Sequence, residues 1–159
     1  MTPMLSNSIG AAMAIDPRHF QRLQDVTVRG TFTRPVTGAS IDTRSLLEGD
    51  LFVAFAGTHV DGHDFIPKAI SRGASAVMAS PTWAQENHWV ADIPLLLTDN
   101  PTRSLGELAR LHRLDFDIPV IAITGSNGKT TTKNLVAHIL GSRHRLLSTQ
   151  GNYNNQLGL

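Results

Sequence analysis

A glycine-rich segment with a lysine and several hydroxyl side chains lies at residues 124–132. It reads Thr-Gly-Ser-Asn-Gly-Lys-Thr-Thr-Thr. An apolar run at residues 120–123 precedes it, and a helical pattern of apolar residues that includes Leu135 and Ile139 follows it. A glycine loop between a strand and a helix N-terminus presents backbone N–H groups and a partial positive charge to an anion. The segment is therefore typical of a loop that holds a nucleotide phosphate.

Each residue type in this loop suits one part of that chemistry. Gly125 and Gly128 permit a tight turn close to an anion. We predict that Lys129 binds the β- and γ-phosphates of ATP and that Thr130 offers its hydroxyl to Mg²⁺, and we take these two as the catalytic residues. The further loop donors of the predicted ATP site are Ser126, Asn127 and Thr131. Ile123 stands where the usual pattern has its first glycine, so the loop is a shortened variant, and an ordinary strand-to-helix turn is the alternative.

The composition restricts the class of protein. The chain has 159 residues, 41% of them hydrophobic and 17% charged, with a net charge of +1 and no cysteine. This excludes disulfides and thiolate metal sites, and it gives no reason to expect a nucleic-acid partner. No stretch approaches the ~20 apolar residues that span a bilayer, so we expect no membrane insertion and a cytoplasmic protein.

Apolar patterns in the first hundred residues predict alternating strands and helices, which indicates an α/β fold. The predicted strands are residues 36–41, 51–55, 76–78 and 95–97. The predicted helices are residues 18–25, 64–72 and 83–89, with Asp64 as the N-cap of the second and Gly73 at its end.

A longer helix is predicted from Asn100 or Thr102 to about Leu114. We place a domain boundary near residues 98–100, which gives an extension at 1–17, one domain at 18–99 and part of another at 100–159. A strand at 145–148 would complete a βαβ unit with the phosphate loop. Because so little chain follows Lys129 to cover that sheet, we expect the chain to be the N-terminal part of a longer protein. A small module that closes itself by dimerising is the alternative.

Several segments, in order along the chain, resemble the first domain of the Mur ligases. They are residues 40–44 (Ser-Ile-Asp-Thr-Arg), 49–54, 61–65 and 73–74. The loop at 124–131 resembles the ATP loop of that family, which is of the same shortened kind. Residues 149–158 resemble the branch of the family that adds D-alanyl-D-alanine. The resemblance covers about residues 20–159 and leaves the first seventeen unmatched.

The resemblance implies a small N-terminal α/β domain that binds a UDP-linked substrate, followed by the start of a P-loop parallel-sheet ATPase domain. In such an enzyme ATP phosphorylates the terminal carboxylate of UDP-N-acetylmuramoyl-tripeptide, and D-alanyl-D-alanine attacks the acyl phosphate in peptidoglycan precursor synthesis. Mg²⁺ is the implied metal, and the full-length protein is expected to be a monomer. The family's magnesium-binding glutamate and carbamylated lysine are expected beyond residue 159, so we expect the chain alone not to ligate.

The same resemblance assigns residues to the substrate. They are Ser40, Thr43 and Arg44 in a UDP-binding segment, Asp61, Gly62 and His63 in a contact loop near the uridine, and Asn154 and Asn155 in a loop at the cleft between substrate and ATP. An arginine suits a diphosphate because its fork makes bidentate bonds.

Structural alternatives exist for these segments. Arg44 could form a surface ion pair with Asp42 or Asp50. Residues 61–64 could be a loop closed by an Asx turn, with Asp64 capping the next helix. The asparagine pair could be a polar turn.

Three other functions are compatible with parts of the sequence. One is the sister ligase that adds the third peptide residue, which tends to carry a different segment at 149–158. A second is an inactive nucleotide-sugar-binding module, and a third is an unrelated P-loop NTPase. The last leaves the segments around Arg44 and Asp61 unexplained.

Overall fold

A computed structural model of the protein describes residues 14–57, 60–89 and 92–149. These residues form two compact units, of which one ends at Asp115 and the other begins at Phe116. The boundary expected near residues 98–100 falls before this division. The reason is that the helix after it contributes Leu108 and Leu111 to the hydrophobic core of the first unit.

A five-stranded sheet forms the centre of the first unit, as the α/β prediction required. Its strands are β1 Thr27–Arg29, β2 Gly38–Ser40, β3 Asp50–Val53, β4 Ala76–Ala79 and β5 Leu95–Leu97. The spatial order is β1-β5-β4-β3-β2. Strands β2 to β5 run parallel, and β1 pairs antiparallel with β5. The four parallel strands therefore have their carboxyl ends at the same edge of the sheet.

Helices lie before, between and after these strands. They are α1 Pro17–Arg22, a 3₁₀ helix Gly62–Phe65 that continues into α2 Ile66–Ser71, α3 Pro81–Glu86 and α4 Pro101–Arg113. Asp16, Ser80 and Asn100 cap α1, α3 and α4 with their side chains. The prediction that Asp64 is an N-cap was wrong. The carboxylate of Asp61 accepts the N–H of His63 and caps the 3₁₀ helix, so the helical segment starts earlier than the pattern indicated.

Both faces of the sheet are buried. One cluster of buried residues contains Phe20, Leu51 and Leu108. The other cluster contains Phe52 and Ile66. Because Leu51 and Phe52 are consecutive in β3, their side chains lie on opposite faces of the sheet. All residues of β3, β4 and β5 are buried. This is the pattern of a parallel sheet covered on both sides, and it explains why these strands read as continuous apolar runs.

The second unit contains helix α5 Lys129–Gly141, which the glycine loop opens as predicted. The strands predicted at 120–123 and 145–148 were wrong, because the structure assigns no strand to either segment. A strand forms through hydrogen bonds to a neighbouring strand. Residues 116–149 contain no strand with which either segment could pair, and Val120 and Ile121 are more than half exposed. Among the described helices, none is long and apolar enough to cross a membrane.

Candidate functional site

Predicted substrate segments lie where the parallel strands end. Residues 40–44 begin at the last residue of β2 and continue past its end. Asp61 to His63 follow β3 after the chain folds back, and the N–H of Gly62 donates to the carbonyl of Phe55 at 2.8 Å. In open α/β sheets, ligands bind outside the carboxyl ends of the strands. Because β2 and β3 are neighbours, the fold brings these two predicted segments to one edge.

The turn after β2 is held by side chains as well as backbone. The hydroxyl of Ser40 donates to the carbonyl of Asp42 at 2.9 Å, and the N–H of Asp42 lies 3.2 Å from the same hydroxyl oxygen. Thr43 is buried, with 4% of its surface exposed. Ser40 therefore shapes the turn, whereas Thr43 is largely shielded from solvent.

Arg44 is the exposed cation of this turn. Its guanidinium donates to Asp42 through Nε and Nη2, at 2.9 and 2.7 Å from Oδ2. The ion pair with Asp42 considered from the sequence is thus present, whereas Asp50 is buried and accepts the N–H of Leu47. The hydrogen bonds from Arg44 lower the pKa of Asp42 to about 2. The Arg44 side chain is 85% exposed, and Nη1 takes no part in these bonds, so it can face an anionic ligand.

The loop after β3 is built around one carboxylate. Oδ1 of Asp61 accepts the backbone N–H of His63 at 2.9 Å and lies 2.6 Å from its Nδ1. The backbone bond, and after it the ring, lower the pKa of Asp61. A Cβ added to Gly62 would lie 2.7 Å from backbone atoms of Phe55, so only glycine fits there. The Asx turn considered from the sequence is present, and the side chain of Asp61 forms it.

The predicted phosphate loop leads directly into the N-terminus of α5. Gly128 caps α5 with φ of +77°, a left-handed conformation that favours glycine. The first turn of the helix contains no acidic residue, so the partial positive charge of its N-terminus is not neutralised there. The ammonium of Lys129 donates to the carbonyl of Gly125 at 2.5 Å, which keeps the cation on the loop.

Comparison with known proteins gives one match in the unit that contains the sheet and one that contains the glycine loop. Residues 35–113 match the family model described as "Mur ligase family, catalytic domain", and residues 123–159 match the one described as "Mur ligase middle domain". The chain belongs to the Mur ligase family. The earlier match ends at the close of α4, and the later match contains the whole phosphate loop.

Individual Mur ligases are similar over most of this chain. The UDP-N-acetylmuramoyl-tripeptide--D-alanyl-D-alanine ligase of Bacillus subtilis is 37% identical over 140 residues, which is 83% of this chain and 30% of the relative. A diaminopimelate-adding ligase of Vibrio cholerae is also 37% identical, over 74% of this chain and 25% of the relative. The chain thus spans less than a third of the length of these relatives.

Solved Mur ligase structures match the fold. The crystal structure of MurF from Acinetobacter baumannii superposes with a TM-score of 0.73 at 29% identity, covering 89% of this chain and 30% of that one. MurF from Thermotoga maritima in complex with ADP has a TM-score of 0.63 at 34% identity, covering 76% of this chain and 27% of that one.

Ser80 and Trp83 lie near His63 at this edge of the sheet and had not been predicted as part of a site. The N–H of Ser80, just after β4, donates to Nε2 of His63 at 3.0 Å. The ring of Trp83 lies 5.8 Å from that of His63. The Ser80-Pro81 pair is a recognisable helix start, but its link to His63 is a contact over seventeen positions that local patterns do not encode. Asn154 and Asn155 lie outside the described residues.

Proposed function

We propose that this chain supplies the substrate-binding domain and the phosphate loop of a ligase that joins D-alanyl-D-alanine to UDP-N-acetylmuramoyl-tripeptide. The observation that carries the proposal is the shared sheet edge of Arg44 and Asp61, which follow the adjacent parallel strands β2 and β3. An exposed guanidinium suits a diphosphate, and a half-exposed carboxylate suits N–H and O–H donors. A UDP-linked sugar peptide carries both kinds of group.

In this proposal Arg44 binds the diphosphate through Nη1 while Asp42 holds its other nitrogens. The Asp42 carboxylate fixes the plane of the guanidinium, which lowers the entropy cost of binding. Ser40 and Thr43 keep the turn in shape beneath the ligand. The loop of Asp61, Gly62 and His63 contacts the uridine end. The family resemblance also assigns Asn154 and Asn155 to substrate binding.

The phosphate loop is assigned to ATP with Mg²⁺. ATP, when bound, supplies the phosphoryl group that activates the terminal carboxylate of the tripeptide. Lys129 leaves the carbonyl of Gly125 to neutralise the β- and γ-phosphates, and the first N–H groups of α5 add donors. Thr130 lies in the first turn and would offer its hydroxyl to Mg²⁺, a cation that takes few protein ligands beside phosphates and water. The ADP in the Thermotoga maritima structure supports this assignment.

The D-alanyl-D-alanine-adding reaction is favoured over that of the sister ligase by the resemblance of residues 149–158. The Vibrio cholerae relative, which is named for the diaminopimelate ligase, keeps the sister reaction as a second candidate. Either reaction belongs to cytoplasmic synthesis of a peptidoglycan precursor.

The proposal is tested by calorimetric titration of the chain with two acceptors, UDP-N-acetylmuramoyl-tripeptide and UDP-N-acetylmuramoyl-L-alanyl-D-glutamate. Saturable binding that is tighter for the tripeptide supports the D-alanyl-D-alanine ligase. Tighter binding of the shorter acceptor favours the sister enzyme. A folded chain that binds neither compound refutes the substrate domain and leaves only a nucleotide-binding fragment.

A further inference from the structure

His63 was predicted to contact the substrate, but it is buried and both of its ring nitrogens are engaged. Only 5% of the residue is exposed. Nε2 faces the backbone N–H of Ser80 at 3.0 Å, and a backbone N–H can only donate. Nε2 is therefore the acceptor, so Nδ1 carries the ring proton and donates it to Oδ1 of Asp61. The surrounding hydrogen bonds fix the tautomer of the ring.

These two bonds join the ends of two neighbouring strands. Asp61 lies after β3 and forms an isolated bridge with Ala56, while Ser80 follows β4 and caps α3. Strands β3 and β4 are adjacent and parallel. The His63 ring thus connects the loop that leaves one strand to the helix that leaves the next, at the edge where the substrate segments lie.

The side-chain hydrogen bonds of Asp61 within the described part of the chain all use one of its carboxylate oxygens. Oδ1 accepts both the N–H and the Nδ1–H of His63. The Asp61 side chain is 49% exposed, so Oδ2 can accept a hydrogen bond from a molecule bound at the surface. A carboxylate held by two donors at one oxygen presents the other in a fixed direction.

We propose that His63 is a positioning residue: its Nδ1–H orients Asp61 so that Oδ2 accepts an N–H or O–H donor of the UDP moiety. This inference rests on the proposed function of the sheet edge. It assigns the ligand contact to Asp61 and removes His63 from direct contact. The bond from Ser80 to Nε2 serves to hold the ring in the tautomer that donates to Asp61.

Two substitutions separate the two nitrogens of the ring. His63→Asn places an amide N–H at about the position of Nδ1 and removes the acceptor for Ser80. His63→Gln reaches towards Ser80 with its carbonyl oxygen and removes the short-range donor to Asp61. A merely structural histidine predicts that binding follows stability in both variants. A positioning role predicts that His63→Asn binds better than His63→Gln at equal folded fraction.

The experiment is titration of the wild type and the two variants with UDP-N-acetylmuramoyl-tripeptide, followed by tryptophan emission. The chain has two tryptophans, Trp83 and Trp89, whose rings lie 5.9 Å apart, and Trp83 lies beside His63, so the emission is sensitive to changes around His63. We expect the Kd to rise about tenfold or more in His63→Gln and by less than about threefold in His63→Asn, because a charge-assisted hydrogen bond is lost only in the former. His138→Gln, on exposed surface of α5, is the matched control.

Circular dichroism melts give the folded fraction of each variant. Equal Kd values in the two variants, or a His63→Gln variant that binds like the wild type, overturn the positioning role. If the histidine variants do not fold, Asp61→Asn decides, since it keeps an oxygen for His63 and replaces the accepting Oδ2. Unchanged binding by Asp61→Asn overturns the inference. Absence of binding by the wild type is a different result, because it refutes the proposed function itself and the inference with it.

Discussion

Asp42 and Arg44 form a bidentate ion pair within one turn, and Asp16 and Arg18 repeat it almost atom for atom. In both pairs the arginine backbone N–H donates to Oδ1 at 2.8 Å, and Nη2 donates to Oδ2, at 2.7 Å in one and 2.5 Å in the other. The two arginine side chains are 85% and 84% exposed. Only the Asp42 pair follows a parallel strand at the proposed substrate edge, whereas the Asp16 pair caps α1.

This repetition gives the Arg44 prediction a matched control. We expect Arg44→Ala to raise the Kd for UDP-N-acetylmuramoyl-tripeptide about tenfold or more, because a charge-assisted contact to diphosphate is lost. Arg18→Ala removes the same kind of exposed ion pair and should leave binding unchanged. Neither change should move the melting temperature appreciably, since exposed pairs add little stability. Calorimetric titration and thermal melts measure the two effects, and equal affinities of the two variants would contradict the assignment of Arg44.

Lys129 gives a second prediction, on the nucleotide. Lys129→Ala should weaken ADP binding about tenfold or more, because the ammonium that lies on the glycine loop is lost as a charge-assisted donor to phosphate. Lys133 lies one turn further along α5, and its ammonium donates to the carbonyl of Thr149. Lys133→Ala should therefore reduce ADP affinity less. Titration with ADP in the presence of MgCl₂ measures the affinity of both variants. A larger loss of affinity in Lys133→Ala would indicate that the phosphates bind near Lys133 and not near Lys129.

The sequence predicted the parts of the fold that have strong local signals. Strands β4 and β5 are continuous apolar runs, β3 is apolar after Asp50, and the glycines and Lys129 marked the start of α5. It did not predict β1, whose three residues gain their structure by antiparallel pairing with β5. The apolar run at 120–123 has strand composition, but a strand also needs a neighbour to pair with.

Some residues of the candidate site could likewise be predicted from the sequence, and others could not. Arg44 and Asp61 could be named from motifs because each motif is contiguous. The link from His63 to Ser80 could not, because it depends on the register of β3 against β4. The pattern predicted Asp64 as the cap, but the side chain of Asp61, three positions earlier, makes it.

Asp61 gives a third prediction, on pH. Its pKa is lowered in the folded protein from an ordinary value of 3.8, by the backbone N–H of His63 first and by the His63 ring second. Because the folded pKa lies below the unfolded one, the stabilising contribution is complete above the unfolded value and is lost as the pH falls through the folded value. The difference in unfolding free energy between wild type and Asp61→Asn should thus be constant from about pH 7 to pH 5 and shrink below about pH 4.

Urea unfolding at a series of pH values, followed by tryptophan emission, measures this difference in the unit that contains Trp83. A difference that stays constant down to about pH 3 would show that the carboxylate of Asp61 is not the group that His63 stabilises.

Gly106 and Gly128 give a fourth prediction, because they differ in backbone conformation and not in space. A Cβ added at either position meets no atom within 4 Å. Gly106 lies inside α4, where alanine should stabilise the helix by about 0.5–1 kcal/mol and raise the melting temperature of the first unit by about 2–4 °C. Gly128 has φ of +77°, where alanine costs about 1–2 kcal/mol, so the same substitution should destabilise the start of α5.

Urea unfolding followed by circular dichroism at the helix band compares the two alanine variants directly. Gly106→Ala should shift the transition to higher urea and Gly128→Ala to lower urea. Opposite signs from the same added methyl would show that the left-handed conformation at Gly128 is a requirement of the phosphate loop, since crowding is absent at both sites. A neutral Gly128→Ala would mean that the loop relaxes to a right-handed turn without cost, and its geometry would then not be fixed before the nucleotide binds.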